Sequence, residues 1–524
     1  MASRPADAEA AYPRVDSMTA LARKASRFEP AIWFLLTFGL YVGYGAETFY
    51  KTDGPDLLWL FDVHRQHPWH VGYLPAFTVW HQILHLLHLD GSMFRVFTSF
   101  SALGMATGVA MFVAGLRRLC VDGVRRASAA LLLAACPAAM LFGCVVELHA
   151  PLMAVVGLAF FWTTVQIKQP TVLGMICLSV LTHCAFLMHS SGLLLPAWLL
   201  PFFLARRRPI QTRDVVLSVL AGSVHVVLFF VLPRVFPGFY GVHADLASAL
   251  AKESSINRPQ SIDYAGVIFL QEWLWPLLPV SATCFFAVFR RSLRAEFFAF
   301  LIGLCPFLYL CVRQLVFEKE NGAYLLPMML PAVLLTVASL PQRVTAVLAF
   351  ISVLLALSAP ISLRPFQPGL ADAGEHRRFV QHLEVAAQNR PFLVLLGTHR
   401  EMSIGYERLL PWAGPGQPLG RNFLSIRETA AMPCTTFVAT GSDKGIVAEL
   451  QKLTGQGVAL LMPQRTRNYL LDPAPFMRAE KATSEIPPDM AGPALLQALE
   501  AAFAFIPIPD PEGGGNPVFW LKPN

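Results

Sequence analysis

Charged residues are scarce in this chain: they make up 14% of its 524 residues, whereas 55% are hydrophobic. Soluble domains carry roughly 25% charged residues, so the composition excludes an ordinary soluble protein and indicates a membrane protein. The formal net charge of +7 arises mostly from arginines in short clusters between apolar runs. In a multipass protein such clusters report topology and contact with lipid headgroups, which argues against a nucleic-acid partner.

Several chemical signatures are also missing. None of the nine cysteines belongs to a CxxC pair or to a Cys/His zinc spacing, and Cys434 is alone in the polar C-terminal third, which excludes an internal disulfide there. That third contains no GxGxxG, no P-loop and no convincing catalytic triad. The chain has no internal repeat and no low-complexity tract. The residues left to carry chemistry are acids, histidines and aromatic residues beside the apolar runs.

Long apolar runs dominate the chain up to residue 363. A membrane-spanning helix needs about 20 mainly apolar residues. The sequence therefore predicts a mainly α, multi-pass transmembrane helical bundle of about eleven spans over residues 30–363, after a cytoplasmic tail at 1–29. The predicted spans lie near residues 30–50, 94–116, 127–146, 150–167, 171–188, 191–205, 214–236, 265–289, 296–316, 322–340 and 344–363.

Residues 73–89 are apolar but contain three histidines and a proline. If this stretch does not cross the membrane, the later basic clusters fall on the same side as the basic residues at 23–27; if it crosses, they all fall on the opposite side. The bias of Lys and Arg toward the cytoplasm favours the first arrangement. We therefore interpret 73–89 as an amphipathic helix in the outer interface, with His81, His85 and His88 on one face. The N-terminus is then cytoplasmic and the C-terminus lies outside.

The first outer loop, residues 51–93, contains three aspartates. Asp53 follows the first span by a few residues, so its carboxylate would lie at headgroup level, where partial desolvation raises a carboxyl pKa as a general base requires. Asp56 is three residues further on and would share a face with Asp53 in a helix, and Asp62 lies nearer the histidines. The alternative is structural, because a TDGPD sequence also suits a turn.

The same loop holds imidazoles beside aromatic residues. His67 and His70 flank Pro68 and Trp69, and Tyr73 follows. Imidazoles near an interface can bind a phosphate or a metal ion, whereas tryptophan is typical of the membrane interface in any case. The residue types leave the binding and structural interpretations of His67 and His70 both open.

Charged and polar residues also occur at the outer ends of predicted spans. Glu147 and His149 lie in a tight outer turn, and a charge in the bilayer costs roughly 2.5–3.5 kcal/mol on insertion scales, so such residues face a cavity or a partner. A guanidinium at the outer leaflet, as predicted for Arg313, suits a lipid phosphate, although an arginine there can also simply snorkel to the interface. The other residues at outer span ends are His183, His189, Lys319, Glu320 and Tyr324.

The composition changes after residue 363, where Pro365, Pro368 and Gly369 indicate a linker. Residues 364–524 are predicted to form a small extracytoplasmic α/β domain, long enough for a core of its own. A helix is predicted over 442–454, between parallel strands. The predicted strands are 392–397, 435–441 and 458–462, with FIPIPD and VFWLKPN near the C-terminus as edge strands.

Short motifs in this chain resemble those of the GT-C superfamily of integral membrane glycosyltransferases, which includes protein O-mannosyltransferases and aminoarabinose transferases. An acid just after the first span, Asp53, is one match, and a HPxxxxYL-type start to an interfacial helix at 67–74 is another. FRVFTSFSALGMATG at 94–108 is similar to the superfamily pattern Arg-Leu-x-Ser-x-x-x-Gly, and ENGAYLLPMMLP at 320–331 is similar to late spans of bacterial members. The resemblance covers about residues 30–340 in layout.

The resemblance implies an inverting transfer from a polyprenyl-phosphate sugar donor to a glycan, lipid or protein acceptor on the outer face. Asp53 or Asp56 would deprotonate the acceptor hydroxyl, with Asp62 also a candidate because the usual close pair of acids is not unique here. The phosphate leaving group needs no general acid, but cations at the outer leaflet should stabilise it. The candidates are Arg313, His149 and Lys319, with His67 or His70 helping. The implied substrate-binding residues are His67, His70, Tyr73, Glu147, His149, Arg313, Lys319, Glu320 and Tyr324.

The resemblance also bears on cofactors and on the outer domain. Some members of the superfamily hold a divalent cation such as Mg²⁺ or Mn²⁺ beside the acid, and the sequence leaves open whether this chain binds one. The C-terminal α/β domain is expected to grip the acceptor or a partner.

Two other functions are compatible with the predicted spans. A transporter or flippase of lipid-linked saccharides should place ionisable groups mid-membrane and show repeated halves. His225 lies mid-span, but no repeat is present. A scaffold would use its outer domain and would tolerate Asp53→Asn. The Ala, Arg, Leu and Pro usage, with an outward soluble domain, indicates a bacterial inner membrane.

Overall fold

A computed structural model describes most of the apolar part of the chain and parts of the remainder. The described residues are 20–46, 53–62, 64, 66–67, 69–89, 91, 93–240, 266, 268–314, 321–358, 382, 385–388, 390, 392–396, 423–425, 443–471, 493–508 and 517–524. The chain divides into two compact units. The helical unit comprises Met1–Ala46, Gln66–Asp90 and Arg95–Gln367, and the sheet unit comprises Glu47–Arg65, Gly91–Phe94 and Pro368–Asn524.

Helices form at the predicted apolar runs, which confirms the mainly α character of this region. Within the stretch 73–89, Tyr73–Leu86 form a 14-residue helix; its position in the outer interface stays a prediction. The helices in chain order are α1 (Ala20–Gly43), α2 (Asp53–Asp62), α3 (Tyr73–Leu86), α4 (Met93–Arg118), α5 (Gly123–Ala134), α6 (Pro137–Cys144), α7 (His149–Lys168), α8 (Val172–Met188), α9 (Pro196–Arg206) and α10 (Thr212–Val235), then Pro237–Tyr240, Val280–Thr283, Arg294–Gln314, Met329–Ser339 and Gln342–Leu357.

Length and composition qualify only some of the described helices as membrane spans. Four are long and apolar enough, namely α4, α7, α10 and Arg291–Cys311, and α5 with α6 makes a fifth if this pair, bent by 61°, is one span. The total of about eleven spans therefore stays a prediction. The shorter apolar helical segments are Val172–Met188, Ser190–Arg206, Val280–Phe289, Ala323–Ser339 and Gln342–Leu357.

Two predicted spans are broken where prolines remove backbone donors. The run at 127–146 bends between α5 and α6, and Pro137 is the first residue of α6. The run at 265–289, predicted as one span, is divided into a π-helix at Ile268–Leu274, the short helix Val280–Thr283 and a 3₁₀-helix at Cys284–Phe289. Pro276 and Pro279 lie between the first two segments.

The backbones of α4 and α7 approach closely because small residues line their contact. Gly104 and Gly108 form a GxxxG spacing on α4, a pattern that lets membrane helices come together. A Cβ at Gly108 would lie 2.7 Å from the carbonyl oxygen of Met153, and one at Gly157 would lie 2.6 Å from the carbonyl oxygen of Gly108. The contact fixes α7, whose first residue is His149.

Gly108→Ala is expected to destabilise the protein by about 1–3 kcal/mol, because the added methyl group meets backbone that cannot move aside. Gly39→Ala on α1 is the matched control, since a Cβ there has nothing within 4 Å and alanine favours the helix. Thermal unfolding in lipid nanodiscs measures both. Equal midpoints for Gly108→Ala and the wild type would contradict the close approach of α4 and α7.

Arginines at the predicted cytoplasmic ends bind carbonyl groups at or just beyond helix C-termini. Arg207 donates to the carbonyl oxygen of Ile167 at 3.2 Å, and Arg290 donates to that of Ser339 at 3.2 Å. Arg207 also pairs at 3.1 Å with Asp214, which is fully buried. The last carbonyls of a helix lack partners within it and carry partial negative charge, so these arginines tie helix ends together.

The sheet unit contains a five-stranded mixed sheet of order β2-β1-β3-β5-β4. The inner strands β1 and β3 are parallel, as predicted, and β1 is also parallel to β2. Strand β5 is antiparallel to both β3 and β4. The strands are β1 (Phe392–Leu396), β2 (Phe423–Ser425), β3 (Ala459–Pro463), β4 (Phe503–Ile508) and β5 (Val518–Pro523).

Three elements of this unit differ from the sequence-based expectation. VFWLKPN is not an edge strand, because β5 pairs on both sides. The strand β2 and the helix Gln464–Leu471 have no predicted counterpart. The predicted strand at 435–441 lies outside the described residues. The predicted helix over 442–454 is present at Asp443–Gly455, and it contributes Leu450 to a core formed with β1, β3 and Pro493–Ala502.

Candidate functional site

The three predicted catalytic aspartates lie on one helix of the sheet unit. α2 begins at Asp53 and ends at Asp62. Helical spacing places Asp53 and Asp56 on a common face, and Asp62 lies about two and a half turns from Asp53. Because the three side chains are outside the described part of the structure, their catalytic role stays a prediction.

The predicted roles of three substrate-binding residues also remain untested. Arg313 belongs to the helix Arg294–Gln314, but its side chain is not among those described. Lys319 and Glu320 lie outside the described residues.

Four histidine rings from three segments of the helical unit stack on one another. We call these four residues, His67, His70, His149 and His189, the histidine stack. His67 lies on His70 with ring centroids 4.6 Å apart, and His70 lies on His189 at 4.5 Å. His149 lies against His189 at 4.2 Å, tilted by 44°. The segment before α3, the end of α8 and the start of α7 thus meet at one place. His70, His149 and His189 are all buried.

Glu147 supplies a carboxylate to this stack. Its Oε1 accepts a hydrogen bond from the backbone N–H of Leu148 at 3.0 Å and lies 3.0 Å from Nδ1 of His149. Glu147 is 3% exposed and His149 is 2% exposed. A carboxylate only accepts hydrogen bonds, so Nδ1 of His149 carries a proton. The stack therefore contains an imidazole and a carboxylate joined by a buried hydrogen bond.

The backbone at the start of the HPWHVGYL segment, residues 67–74, is hydrogen-bonded to the ring of His67. Its Nδ1 accepts hydrogen bonds from the backbone N–H groups of Trp69 and His70, both at 3.1 Å. An atom that accepts from an N–H group carries no proton, so neutral His67 has its proton on Nε2. The ring therefore presents a donor atom on the side away from its own backbone.

Gly72 joins this segment to the end of α8. Its backbone N–H donates to the carbonyl oxygen of Leu187 at 2.9 Å. A Cβ at Gly72 would lie 2.9 Å from Cβ of Leu187, so only glycine allows these two segments of the chain to approach this closely. Gly72 is two residues from His70, and Leu187 is two residues from His189. The contact therefore fixes the positions of the two histidine rings relative to each other.

Tyr73 brings a buried hydroxyl to the same region. Its ring is fully buried and packs edge-on against Phe100 at 5.4 Å. Within the described residues the hydroxyl makes no hydrogen bond. Burial, and then the negative charge of Glu147, raise the pKa of Tyr73 well above its ordinary value. Tyr73 is thus a neutral hydrogen-bond donor in the electrostatic field of Glu147.

Tyr324 closes the stack on another side. Its ring meets those of His149 and His189 edge to face, with both centroid distances at 5.3 Å. Five predicted substrate-binding residues besides Glu147 therefore lie in or beside one cluster: His67, His70, Tyr73, His149 and Tyr324.

The turn before Tyr324 is held by a buried acid. Glu272 is 1% exposed, and its carboxylate accepts the backbone N–H groups of Asn321 at 3.1 Å and Gly322 at 2.8 Å. Asn321 and Gly322 have φ angles of 49° and 84°, a left-handed conformation that favours glycine and asparagine. Glu272 thereby sets the path that brings Tyr324 onto the two imidazoles.

His189 has a defined tautomer. It caps the 3₁₀-helix Ser190–Leu194, and its Nδ1 accepts from the backbone N–H of Ser191 at 3.1 Å and lies 2.7 Å from Oγ of Ser191. Burial, and then the neighbouring imidazoles of His149 and His67, lower the pKa of His189 well below its ordinary value. His189 is therefore neutral, with its proton on Nε2.

Glu272 is a functional candidate that the sequence does not single out, and the sequence marks His189 only as a residue at an outer span end, outside the implied substrate-binding set. Glu272 is the one charged residue in the apolar run 268–289, and an ionisable residue in such a run is a site signal in itself. His189 precedes Ser-Ser-Gly, a combination typical of a cap. Three other histidines lie apart from the stack: His81 is half-buried against Phe77, and His85 and His88 are exposed.

A buried cluster of this kind suits the binding of a phosphate. It combines the imidazole of His149, the carboxylate of Glu147 and donors on His67, Tyr73 and His189. Among the residues that the structure describes, no three His, Cys, Asp or Glu side chains are grouped to hold a metal ion, and no chemical step is assigned to one.

No protein-family model matches the sequence, and no curated protein matches it. Among solved structures, the chain is similar to the GT-C aminoarabinose transferase ArnT from Cupriavidus metallidurans, whose crystal structure was determined bound to undecaprenyl phosphate. The two chains are 14% identical, and the superposition has a TM-score of 0.53 and covers 96% of this chain and 98% of ArnT. At this level of sequence identity, the similarity is evidence about the fold alone. The resemblance found in the sequence is confirmed at the level of the fold: the chain is folded like ArnT, and its long apolar helices indicate an integral membrane protein.

Proposed function

We propose that this protein transfers a sugar, with inversion, from a polyprenyl-phosphate donor to an acceptor on the outer face of the membrane. The observation that carries the proposal is the fold similarity, over 96% of the chain, to ArnT bound to undecaprenyl phosphate. The buried cluster of His149, Glu147, Tyr73 and Tyr324 supports it, because a dry site rich in donors suits a phosphate group.

In this reaction the acceptor hydroxyl attacks the anomeric carbon, and the bond from that carbon to the phosphate oxygen breaks. Asp53 or Asp56 takes the hydroxyl proton. Since the attack comes from the face opposite the phosphate, the configuration inverts. The base is proposed from the resemblance in sequence, and Asp62 remains the third candidate.

The leaving group is a phosphate monoester of the polyprenol, which gains negative charge as the bond breaks. Imidazolium at His149, held by Glu147, opposes that charge, and His67 and His70 contribute further donors. Donors and cations already in place at the developing charge lower the barrier most effectively in a water-poor site. Arg313, Lys319 and Glu320 complete the proposed donor-binding set.

The proposed topology follows the basic clusters. The N-terminus is cytoplasmic, residues 364–524 lie outside the membrane, and the protein resides in a bacterial inner membrane. The outer domain holds the acceptor, which is a glycan, a lipid or a protein.

A transfer assay tests the proposal. Purified protein in nanodiscs is incubated with radiolabelled polyprenyl-phosphate sugars and extracts of glycans, lipids and proteins, and label is expected to move to one acceptor class with release of polyprenyl phosphate. Proton NMR of the product should show the anomeric configuration opposite to that of the donor. If no donor is consumed but lipid-linked sugar crosses the bilayer of sealed vesicles, the protein is a flippase and the proposal is wrong.

A further inference from the structure

His189 is the inner ring of the histidine stack, and its contacts leave one polar atom uncommitted. His70 stacks on it at 4.5 Å, His149 lies against it at 4.2 Å, and Tyr324 meets it edge to face at 5.3 Å. Its Nδ1 is occupied by Ser191. Its Nε2 makes no hydrogen bond to any residue that the structure describes.

The backbone fixes which nitrogen carries the proton. The N–H of Ser191 can only donate, so Nδ1 of His189 must accept, and the hydroxyl of Ser191 is in place to donate to the same atom. The carbonyl oxygen of His189 accepts the N–H of Gly192 at 2.8 Å, which holds the turn. Neutral His189 therefore has a permanent donor at Nε2.

The surroundings keep this ring uncharged. His189 is 2% exposed, and burial together with the neighbouring imidazoles of His149 and His67 lowers its pKa well below the ordinary value. Among the described residues, the titratable groups that face it are His67, His70, His149 and Tyr324, with Glu147 reached through His149. His189 therefore remains a neutral donor within the stack.

A second buried donor points to the same kind of ligand. The hydroxyl of Tyr73 is buried without a hydrogen bond to any described residue, and it lies in the field of Glu147. A buried donor left unsatisfied costs about 1–3 kcal/mol. A phosphate ester has several acceptor oxygens and would satisfy such a donor.

We propose that Nε2–H of His189 donates a hydrogen bond to the phosphate of the polyprenyl-phosphate donor, as a neutral group, and that Ser191 positions it. The inference rests on the proposed function and adds a residue to it. The bond is made to the ground-state phosphate and shortens as the leaving oxygen gains charge, so it acts on both affinity and rate.

A pair of substitutions of similar size isolates the donor. His189→Gln carries an amide N–H at about the place of Nε2, and His189→Met fills the volume without a donor. His189→Met is expected to lower kcat about 10²-fold and to weaken binding of undecaprenyl phosphate about tenfold. His189→Gln should recover most of both. Ser191→Ala keeps the backbone N–H and should cause a smaller loss, about two- to fivefold.

The pH profile separates a neutral donor from an imidazolium. Glutamine does not titrate, so the rate ratio of wild type to His189→Gln should be constant between pH 6 and pH 9. An imidazolium at His189 would make that ratio fall about tenfold per pH unit above its pKa, and such a fall overturns the proposal. Thermal unfolding of each variant shows that the fold is retained.

The remaining outcomes are distinguishable. If wild type transfers sugar and His189→Met does so equally well, the role of His189 is wrong and the proposed function stands. If wild type neither binds undecaprenyl phosphate nor transfers sugar, both are wrong. If His189→Met weakens binding of phosphatidylglycerol as much as that of undecaprenyl phosphate, the residue is a general lipid contact and the proposal is overturned.

Discussion

Asparagine in place of the proposed catalytic aspartate is expected to reduce sugar transfer about 10²–10⁴-fold, the usual contribution of a general base. Asp53→Asn and Asp56→Asn keep the size and polarity of the side chain but remove the group that takes the hydroxyl proton. One carboxylate takes the proton, so one substitution should have this effect and the other a smaller one. Initial rates at saturating donor, in nanodiscs, measure both.

The loss of activity should come from a slower chemical step and not from weaker binding of the donor. Affinity for undecaprenyl phosphate should stay near the wild-type value, because the proposed donor-binding residues are unchanged. Glu500→Gln is the control: Glu500 is an exposed carboxylate, paired with Arg467 at 2.9 Å, and the variant should keep full activity. Asp62→Asn completes the series. Full activity in Asp53→Asn, Asp56→Asn and Asp62→Asn alike would exclude α2 as the source of the base.

The helices of this protein are predictable because the bilayer imposes a simple requirement. Every backbone polar group in the hydrocarbon must be paired within its own segment, so a long apolar run becomes a helix. Breaks are less predictable. Pro276 and Pro279 divide the run 268–289, whereas Pro306 lies inside the continuous helix Arg294–Gln314. Whether a proline ends a helix depends on neighbouring groups that re-satisfy the backbone, and the local sequence does not contain them.

In the candidate site, too, some features can be predicted from the local sequence and others cannot. The position of Glu147 and His149 between two apolar runs is a signal that the sequence itself carries, because burial of a charge requires a partner. Their partnership with each other, two residues apart, is also local. The contacts of His189 with His70 and His149 join segments far apart in sequence, and a single chain carries no direct record of such pairs. Glu272 and Asn321 are a further case, since 49 residues separate them.

The sheet unit adds one instructive error. VFWLKPN is expected at an edge because it ends the chain, yet Val518, Trp520 and Leu521 are buried. Burial of side chains on both faces is the mark of an inner strand. The continuous apolar run VFWL carries that signal, so composition predicts the position of β5 better than its place in the chain does.

Glu147→Gln is expected to lower sugar transfer about 10²-fold with little loss of stability. The amide oxygen of glutamine can still accept from the N–H groups of Leu148 and His149, which now lie 3.0 Å from Oε1. What disappears is the negative charge that holds His149 as imidazolium. The leaving phosphate then meets a neutral ring, and the barrier rises.

Glu147→Ala separates this charge effect from packing. The alanine variant leaves the N–H of Leu148 and the ring of His149 buried without their acceptor, and removal of one partner of a buried pair costs about 3–5 kcal/mol. A large drop in unfolding temperature is therefore expected for Glu147→Ala and a small one for Glu147→Gln. If Glu147→Gln keeps wild-type rates, the pair is a structural link without a catalytic role.

The double variant decides whether Glu147 and His149 act as a unit. If the carboxylate works only through the imidazolium, then Glu147→Gln adds nothing once His149→Gln is present, and the rate of the double variant equals that of His149→Gln. Multiplied losses would mean that Glu147 acts on the reaction by a second route. Tyr73 is the structural candidate for that route, because the charge of Glu147 also acts on its hydroxyl. Adding Tyr73→Phe to the cycle would then remove the excess loss.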